Sequence, residues 1–268
     1  MIELPSRLVL LGHPVAHSLS PRFQNAALRA AGIDLAYEAM DVPPSELAKV
    51  AHLLVDANAA GNVTVPHKEA FAACCSQLSP VAQRTGAVNT FWTEAGVLVG
   101  DNTDVGGFDA AVRATVGTPP VGSVIAVLGA GGGASAVLAA VERWDGVTAR
   151  VWSRTMSRAE RLVSRYPRVA RAEWNLETAV RGTALVVNTT PLGRDDDSMP
   201  IDPTLLDATT AVFDLVYRRG ETPWVLACKG RGLRASDGLP MLLEQGAIAF
   251  ARWFGTTPDR AAMLEACR

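Results

Sequence analysis

Cysteine is scarce in this chain of 268 residues, and the few positions it occupies exclude two kinds of site. No two cysteines have the C-x-x-C spacing of a zinc or redox site, and neighbours such as Cys74 and Cys75 rarely bridge each other. The other two, Cys228 and Cys267, are isolated in the sequence. Reduced thiols, and with them a cytoplasmic location, are therefore expected.

Long apolar runs and an excess of basic charge are also missing. No run approaches the roughly 20 residues that span a bilayer, and the N-terminus lacks the pattern of a signal peptide. The formal net charge is −2, which argues against nucleic-acid binding. We predict neither a membrane nor a nucleic-acid partner. The sequence leaves monomer and homodimer open.

Two catalytic motifs are absent as well. The four histidines lack the H-E-x-x-H spacing of a metalloprotease, and no G-x-S-x-G nucleophile elbow occurs. We predict no metal site.

Strand and helix signals alternate along the chain, which predicts an α/β fold with parallel sheets. Hydrophobic residues make up 49% of the chain, enough for two compact lobes. The Pro- and Gly-rich segment Thr115–Ser123 reads as a lobe boundary. Predicted strands are Leu8–Gly12, Leu35–Met40, Asn62–Val65, Ala87–Trp92, Val97–Val99, Val124–Leu128, Thr148–Trp152, Ala184–Asn188, Ala211–Leu215 and Leu233–Ala235. Predicted helices include Phe23–Ala31, Ser45–Asn58, Val105–Thr115, Ala134–Arg143, Met156–Tyr166, Thr222–Arg231, Leu239–Phe254 and Asp259–Cys267.

A glycine-rich turn follows the strand at Val124–Leu128 and precedes an Ala-rich helix. Its pattern is G-x-G-x-x-A, in the strand–turn–helix context of a dinucleotide-binding loop. A pyrophosphate would lie at the helix N-terminus, although a structural turn without ligand remains the alternative. The residues are Gly129, Ala130, Gly131, Gly132, Gly133 and Ala134.

The next strand ends without the acidic residue that would bind the ribose of NAD. Ser153, Arg154 and Thr155 stand there instead, and Arg158 follows one helical step later. Guanidinium groups suit a 2′-phosphate, so the segment favours NADP, with solvated surface arginines as the alternative.

Three short segments of the first hundred residues place polar side chains beside strand ends. In "HSLSP", Ser20 with Pro21 predicts a helix start, but two hydroxyls, Ser18 and Ser20, could also hold a carboxylate. In "GDNTD", Asp104 is a candidate helix cap. Asn89 lies on an apolar strand and needs a hydrogen-bond partner if it is buried.

The segment "GNVTVPHK" carries one of only three lysines in the chain. In an extended strand Asn62 and Thr64 would share one face, with Val63 and Val65 towards the core. Lys68 would then begin the next helix, where a cation is unfavourable for stability. A residue placed against its local preference is a functional candidate, and an exposed lysine at a frayed turn is the alternative.

Taken together, these motifs resemble the shikimate dehydrogenase family over nearly the whole chain. The resemblance also includes "NTTPLG", "DLVYRRGETP" and "DGLPMLLEQGA". It implies an N-terminal substrate-binding domain (1–104), a Rossmann-type NADP-binding domain (105–237) and C-terminal helices (238–268) that return to the first lobe. The implied activity is the NADPH-dependent, reversible reduction of 3-dehydroshikimate in the cleft between the lobes.

The resemblance also implies a role for each site residue. Lys68 and Asp104 look like the catalytic pair, and Leu215 and Gly238 would border the nicotinamide. The glycine turn would hold the pyrophosphate, and Ser153 to Arg158 the 2′-phosphate. Substrate would be bound by Ser18, Ser20, Asn62, Thr64, Asn89, Tyr217 and Gln245.

Some positions depart from the family pattern. Gln24 stands where His is usual and is expected to serve helix packing, and Ser153 replaces the commoner Asn. The acidic run Asp195–Asp197 is expected to form a solvated loop. A quinate or aminoshikimate dehydrogenase, and more remotely a non-catalytic nucleotide-binding regulator, remain alternatives.

Overall fold

The computed structural model describes residues 4–268, which form two compact α/β units. The first unit runs to Gly107 and resumes at Leu242, and the second is Phe108–Met241. Both changes of unit fall inside helices rather than in linkers. The segment Thr115–Ser123, a predicted lobe boundary, therefore lies within the second unit.

Each unit contains one six-stranded sheet. The first sheet is formed by β1 (Arg7–Gly12), β2 (Tyr37–Asp41), β3 (Ala59–Val63), β4 (Gln77–Leu78), β5 (Thr90–Glu94) and β6 (Val97–Asp101). The second is formed by β7 (Val124–Leu128), β8 (Thr148–Trp152), β9 (Ala170–Ala172), β10 (Leu185–Asn188), β11 (Ala211–Asp214) and β12 (Ala235–Ser236).

Eleven α-helices connect or flank these strands within residues 4–268. They are α1 (Ser20–Ala30), α2 (Leu47–Asp56), α3 (Lys68–Ala72), α4 (Pro80–Thr85), α5 (Asp104–Thr115), α6 (Gly132–Val141), α7 (Met156–Ser164), α8 (Leu176–Val180), α9 (Pro223–Gly230), α10 (Leu239–Phe254) and α11 (Arg260–Glu265). Two 3₁₀ turns lie at Pro44–Glu46 and Pro203–Leu205. The short elements β4, α4, β9 and α8 were not predicted from the sequence, because their apolar patterns are too brief to show a period.

The first sheet is mixed: the prediction of parallel pairing is confirmed for β2, β1 and β3 and is wrong at β5, which enters a hairpin with the strand predicted at Val97–Val99. Its order is β2-β1-β3-β5-β6-β4, and β5 runs antiparallel to both β3 and β6. The two-residue loop Ala95-Gly96 joins β5 to β6, with φ angles of 51° and 75°. Positive φ at both loop positions is the geometry of a tight hairpin turn, which reverses the chain without a crossover helix.

The second sheet is parallel throughout, as predicted. Its order is β12-β11-β10-β7-β8-β9, with β7 and β10 adjacent at the centre. The chain reverses its direction of winding between these two strands. In doubly wound sheets, ligands bind outside the carboxyl ends of the strands at this switch point, where the glycine turn follows β7.

The first sheet is covered on both faces by apolar clusters. One cluster includes Phe23 of α1 together with Phe250 and Trp253 of α10. The other includes Leu54 of α2 and Phe71 of α3. Since α10 and α11 pack with α1, the predicted return of the C-terminal helices to the first unit is confirmed.

The strand prediction for "GNVTVPHK" is wrong in its limits and in its faces. β3 ends at Val63, Thr64 lies beyond it, and the side chain of Val65 is largely exposed (67% relative accessibility) before a cis Pro66. Every residue of β3 is buried, because the strand lies between β1 and β5 and an apolar cluster covers each face of the sheet there. In a strand covered on both faces, alternation of polar and apolar residues does not report which side faces the core.

Two predicted helix caps are also corrected. Helix α1 begins at Ser20 itself, and Ser18 Oγ accepts the N–H of Ser20 at 3.2 Å. Helix α5 begins at Asp104, and Asn102 Oδ1 accepts the N–H of Asp104 at 3.1 Å. In both cases the residue two positions upstream supplies the acceptor, which leaves the first helical side chain available for other partners.

No helix within residues 4–268 is long and apolar enough to cross a membrane. The same residues contain no group of three or more His, Cys, Asp and Glu side chains that could hold a metal ion.

Candidate active site

An ion pair between the first residues of two helices forms the centre of the polar site in the first unit. Lys68 Nζ of α3 lies 2.7 Å from Asp104 Oδ2 of α5, although 36 positions separate them in the sequence. The side chains are 24% and 8% exposed, respectively. Helix α3 is anchored at this point because the carbonyl of Lys68 accepts the N–H of Val88 at 2.9 Å. The structure thus brings together the two residues predicted to be catalytic.

The second oxygen of Asp104 is held by Asn89. Asn89 Nδ2 lies 2.8 Å from Asp104 Oδ1, 2.9 Å from Thr103 Oγ1 and 3.2 Å from Gln245 Oε1. Its Oδ1 accepts the backbone N–H of Thr103 at 2.7 Å. The buried amide of Asn89 therefore has the partners that the sequence required of it, and it orients the carboxylate of Asp104.

Gln245 joins this network from helix α10, far along the chain. Its Nε2 donates to the carbonyl of Leu242 at 2.7 Å, which turns its Oε1 towards Asn89. Because 156 positions separate Asn89 and Gln245, only the return of α10 to the first unit brings them into contact.

Asn62 is oriented by a tyrosine that the sequence reading missed. Tyr37 of β2 donates its hydroxyl to Asn62 Oδ1 at 2.8 Å, and Asn62 Nδ2 donates to the carbonyl of Asn89 at 3.0 Å. Burial raises the pKa of Tyr37 well above its usual value, so its hydroxyl is neutral and available as a donor. The sequence offers one faint signal for this role: Tyr37 is one of only three tyrosines.

A second buried carboxylate supports the turn that carries Asp104. Asp101 Oδ1 accepts the N–H of Asn102 at 2.7 Å and the hydroxyl of Ser79, and Oδ2 pairs with Arg252 of α10 at 3.2 Å. Asn102 in turn donates to the carbonyl of Ala87 at 2.9 Å. The side chains of the motif "GDNTD" therefore stabilise this turn through hydrogen bonds and an ion pair. The composition of the motif did not predict these contacts.

The predicted carboxylate-binding serines and Thr64 lie near the carboxyl ends of neighbouring parallel strands. Ser18 and Ser20 follow β1, and Thr64 follows β3 and donates its N–H to Leu11 of β1 at 2.8 Å. Ser18 and Thr64 are half-buried and Ser20 is buried. A Cβ on Gly12 would lie 2.6 Å from the Thr64 methyl group, so a glycine is needed for Thr64 to sit here.

In the second unit, the glycine turn between β7 and α6 leaves space against a helix N-terminus. No side chain caps α6, and a Cβ built on Gly131 or Gly132 would meet nothing within 4 Å. Gly129 differs, since its φ is +113° and a Cβ there would meet the Thr189 hydroxyl. Packing therefore accounts for Gly129 but not for Gly131 or Gly132, where open space beside free helix N–H groups fits a bound pyrophosphate.

The segment after β8 supplies cationic groups at the carboxyl edge of the same sheet. Arg154 and Arg158 are exposed, and neither forms an ion pair with another side chain in residues 4–268. Ser153 Oγ accepts the N–H of Thr155 at 3.3 Å, and Thr155 is the residue before α7. Two unpaired guanidinium groups beside a helix N-terminus fit a 2′-phosphate.

The residues predicted to border the nicotinamide also lie in the second unit. Leu215 directly follows β11, and a Cβ on Gly133 would lie 3.0 Å from its Cδ2 atom. Gly238 packs so closely that a Cβ there would collide with the carbonyl of Leu215. Tyr217, predicted to bind substrate, is half-buried two residues after Leu215. It belongs to the second unit, while the other six predicted substrate residues belong to the first.

Comparison with known proteins identifies the family of the chain. The shikimate dehydrogenase substrate binding domain matches residues 10–91, and the shikimate 5′-dehydrogenase C-terminal domain matches residues 238–268. The NADP⁺ shikimate dehydrogenase of Mesorhizobium japonicum is 40% identical over 99% of this chain and 96% of its own length. That of a Thermus thermophilus strain is 43% identical, covering 98% and 97%. The chain belongs to the shikimate dehydrogenase family.

A solved structure of the family has the same fold. Shikimate 5-dehydrogenase from Thermus thermophilus, in complex with NADP(H) and shikimate, superposes with a TM-score of 0.89 at 41% identity, and 98% of each chain is covered. The family membership and the two-domain α/β fold with a Rossmann-type unit, which the sequence motifs predicted, are confirmed.

The departures from the family pattern have local explanations. Gln24 is fully buried in α1 and donates its Nε2 to the carbonyl of Gly246 in α10 at 3.0 Å, which fits the helix-packing role predicted for it. The acidic run is exposed: Asp195 pairs with Arg194 at 3.0 Å and Asp197 with Arg218 at 3.4 Å. Hydrogen bonds from Ser198 lower the pKa of Asp196. The run therefore forms a solvated loop whose charges have their own partners.

Proposed function

We propose that this protein catalyses the NADPH-dependent, reversible reduction of 3-dehydroshikimate to shikimate, a step of aromatic amino-acid biosynthesis. The observation that carries the proposal is the 2.7 Å Lys68–Asp104 ion pair within the polar network of the first unit. Asn89 binds Asp104 directly and links Gln245 and Asn62 to the pair, and the family resemblance assigns all three of these residues to the substrate.

Lys68 is the proton donor to the alkoxide that develops on the substrate. NADPH, when bound, supplies the hydride. The ammonium group of Lys68 can both stabilise negative charge and release a proton, which a guanidinium cannot do because Arg stays protonated in proteins. Asp104, oriented by Asn89, directs the ammonium group and accepts a hydrogen bond from a substrate hydroxyl.

Residues 1–104 and 238–268 form the substrate-binding part. Ser18 and Ser20, at the start of α1, bind the substrate carboxylate with the help of the helix N-terminus. Asn62, Thr64 and Gln245, together with Asn89 and Tyr217, bind or border the ring hydroxyls. Both N–H groups of Asn89 already face acceptors, so a substrate hydroxyl replaces one of these contacts when it binds.

Residues 105–237 form the cofactor-binding part. The backbone from Gly129 to Ala134 binds the pyrophosphate, and Ser153 to Arg158 bind the 2′-phosphate. This set of groups favours NADP over NAD, because no acidic residue ends β8 to bind a free ribose hydroxyl. The enzyme is a monomer or homodimer of the cytoplasm, where reduced thiols persist.

The decisive experiment is a spectrophotometric assay of the purified chain with a panel of substrates and both cofactors. NADPH oxidation with 3-dehydroshikimate is expected, with kcat/KM for shikimate exceeding that for quinate and for an aminoshikimate. A preference for quinate would assign the chain to the paralogous activity. Tight NADPH binding without turnover of any substrate would show that the chain is a nucleotide-binding regulator and not an enzyme.

A further inference from the structure

A fully buried carboxylate in the second unit has no part in the function proposed above. Asp214 is the last residue of β11, and none of its surface is exposed. Its Oδ1 accepts the side-chain amide of Asn188 at 2.8 Å and the backbone N–H of Val216 at 3.0 Å. Its Oδ2 accepts the hydroxyl of Thr222 at 2.8 Å. The carboxylate therefore ties its own strand end to two other elements.

The first of these elements is the end of β10. Asn188 is also fully buried, and while its Nδ2 binds Asp214, its Oδ1 accepts the N–H and the hydroxyl of Thr190 at 2.9 and 2.7 Å. The second element is helix α9, where Thr222 is the cap residue and accepts the N–H of Val225. Through Asn188 and Thr222, one carboxylate joins the loop after β10, the loop after β11 and the start of α9.

The loop after β11 is held from the other side as well. The carbonyl of Val216 accepts the N–H of Gly238 at 2.9 Å, so both backbone groups of Val216 are bonded. Leu215 precedes Val216, and its side chain lies against Gly133 of the glycine turn. The backbone of Leu215 is therefore held by its own N–H, which donates to the carbonyl of Asn188 at 2.9 Å, and by the hydrogen bond that Asp214 accepts from the next residue, Val216.

Stability alone does not explain an acidic residue at this position. Burial raises the pKa of Asp214 to about 6, with the nearby Asp237 adding to the effect, so the charged form is disfavoured inside the fold. Buried charged groups often contribute less to stability than apolar residues of similar size. What a carboxylate provides here is several hydrogen-bond acceptor positions on two oxygens, which can hold three donors at one strand end.

We propose that Asp214 is a positioning residue for hydride transfer, which holds Leu215 and the loop that follows it in the place where they border the nicotinamide. The inference rests on the proposed function. It extends that function to a residue that contacts neither cofactor nor substrate and acts through the backbone of Leu215 and Val216.

The test compares three variants of the full-length protein. Asp214→Ala removes all three bonds. Asp214→Asn has a side chain of nearly the same shape and can retain a hydrogen bond to each of the three partners. Its amide oxygen can accept from Asn188 and Val216, and its NH₂ group can donate to the Thr222 hydroxyl. The control is Thr210→Val at the opposite end of β11, where the Thr210 hydroxyl donates to the carbonyl of Thr183 at 2.8 Å. All three substitutions change the hydrogen bonds of a buried side chain at one end of β11.

The expected result is a separation of catalysis from cofactor affinity. Because a displacement on the order of 1 Å can cost roughly 100-fold in rate, Asp214→Ala should lower kcat by about 10-fold or more. The Kd for NADPH, measured by fluorescence, should change by less than about 3-fold, because the phosphate-binding groups are untouched. Asp214→Asn should restore kcat to within about 3-fold of wild type, and Thr210→Val should lower Tm without lowering kcat.

A second measurement does not depend on activity. Amide hydrogen exchange of the segment Leu215–Thr222 should quicken in Asp214→Ala and stay close to wild type in Asp214→Asn and Thr210→Val. Unchanged exchange in Asp214→Ala, or an equal loss of kcat in Thr210→Val, would overturn the proposal. If the wild-type chain does not reduce 3-dehydroshikimate, the proposed function fails, and the exchange data alone decide whether Asp214 holds the loop.

Discussion

At the scale of single residues, the site depends on which cation is used and on how each amide is oriented. The chain contains 25 basic residues, and only Lys49, Lys68 and Lys229 are lysines. Lys68 begins a helix, where a positive charge opposes the helix dipole, yet Asp104 compensates for this at 2.7 Å. A lysine at this position is explained by proton transfer better than by stability.

Substitution of Lys68 should separate catalysis from substrate binding. Lys68→Arg keeps the positive charge and Lys68→Met removes it, and both should lower kcat by roughly 10²–10⁴-fold, the usual cost of losing a positioned acid or base. The KM for shikimate should change much less. Lys49→Arg, at an exposed ion pair with Glu46, is the control and should behave as wild type. A Lys68→Arg enzyme with wild-type kcat would show that proton transfer uses another group.

Removing the hydroxyl of Tyr37 should weaken substrate binding through Asn62. In Tyr37→Phe the stacking on Trp253, at 6.0 Å between ring centres, is retained, but Asn62 Oδ1 loses its donor. We expect the KM for shikimate to rise by about 3–10-fold, the scale of one hydrogen bond, with a smaller change in kcat. Tyr166→Phe is the matched control, because its buried hydroxyl contacts Ser135 in the second unit. Equal KM changes in both variants would contradict this role.

Arg154 should distinguish the two nicotinamide cofactors. If its guanidinium group binds the 2′-phosphate, Arg154→Ala should raise the KM for NADPH by about 10-fold or more, the scale of a charge-assisted hydrogen bond, and leave the KM for NADH nearly unchanged. Arg161→Ala, at an exposed position later in α7, controls for the loss of a surface charge. Equal effects on both cofactors would mean that Arg154 does not contact the phosphate.

At the scale of secondary-structure elements, the substrate-binding part depends on the close approach of helix α10 to the start of helix α5. A Cβ on Gly107 would lie 2.7 Å from the backbone N of Gln245 and 2.9 Å from its Cα. The neighbouring Gly106 would meet only the terminal Cδ1 methyl group of Ile248, at 2.9 Å. Gly107 therefore sets the position of Gln245, whereas Gly106 faces a side chain that can turn away.

Alanine substitutions at these two adjacent glycines should therefore differ in their effect on the free energy of unfolding. Gly107→Ala forces α10 to move and should lower the free energy of unfolding by about 1–3 kcal/mol, as overpacking does, while raising the KM for shikimate. Gly106→Ala should stay within about 1 kcal/mol of wild type, because alanine favours the helix and Ile248 can adjust. Urea denaturation and steady-state kinetics measure both. An unchanged KM for shikimate in Gly107→Ala would show that substrate binding does not depend on the position of α10.

At the scale of the whole molecule, stability should respond to pH through Asp214. Its pKa of about 6 in the folded protein exceeds its ordinary value of 3.8, so the folded state binds this proton more tightly than the unfolded state. The negative charge of Asp237 adds to the raised pKa of Asp214. The charge of Asp214 in turn raises the pKa of Cys228 in α9. As the pH rises from about 4 through about 6, the free energy of unfolding should fall by about 3 kcal/mol and then remain level with respect to this group.

The comparison of wild type with Asp214→Asn isolates this effect. The variant cannot titrate at this position, so its free energy of unfolding minus that of wild type should grow by up to about 3 kcal/mol between pH 4 and pH 7. Chemical denaturation at a series of pH values measures the difference. A difference that stays constant over this range would show that Asp214 has the same pKa in the folded and unfolded chain.

The sequence by itself determined the features that depend on short stretches of chain. The glycine turn follows a strand and leads into a helix as predicted, although α6 already begins at Gly132, because adjacent residues decide the turn geometry and the exposed helix end. Lys68 lies at the start of helix α3, two residues after Pro66, as the local sequence predicted. The order of motifs along the chain was also enough to indicate the family, before any distance was known.

Only the tertiary structure decided which of these residues meet and which face of a strand is buried. The contacts that orient the site join Tyr37 to Asn62 across 25 positions and Asn89 to Gln245 across 156. Spacing in the sequence carries no information about such contacts, because they are set by sheet order and by the return of α10. The burial of β3 on both faces and the three bonds of Asp214 have the same origin. They depend on neighbouring elements that pack against the strand and do not depend on its own sequence.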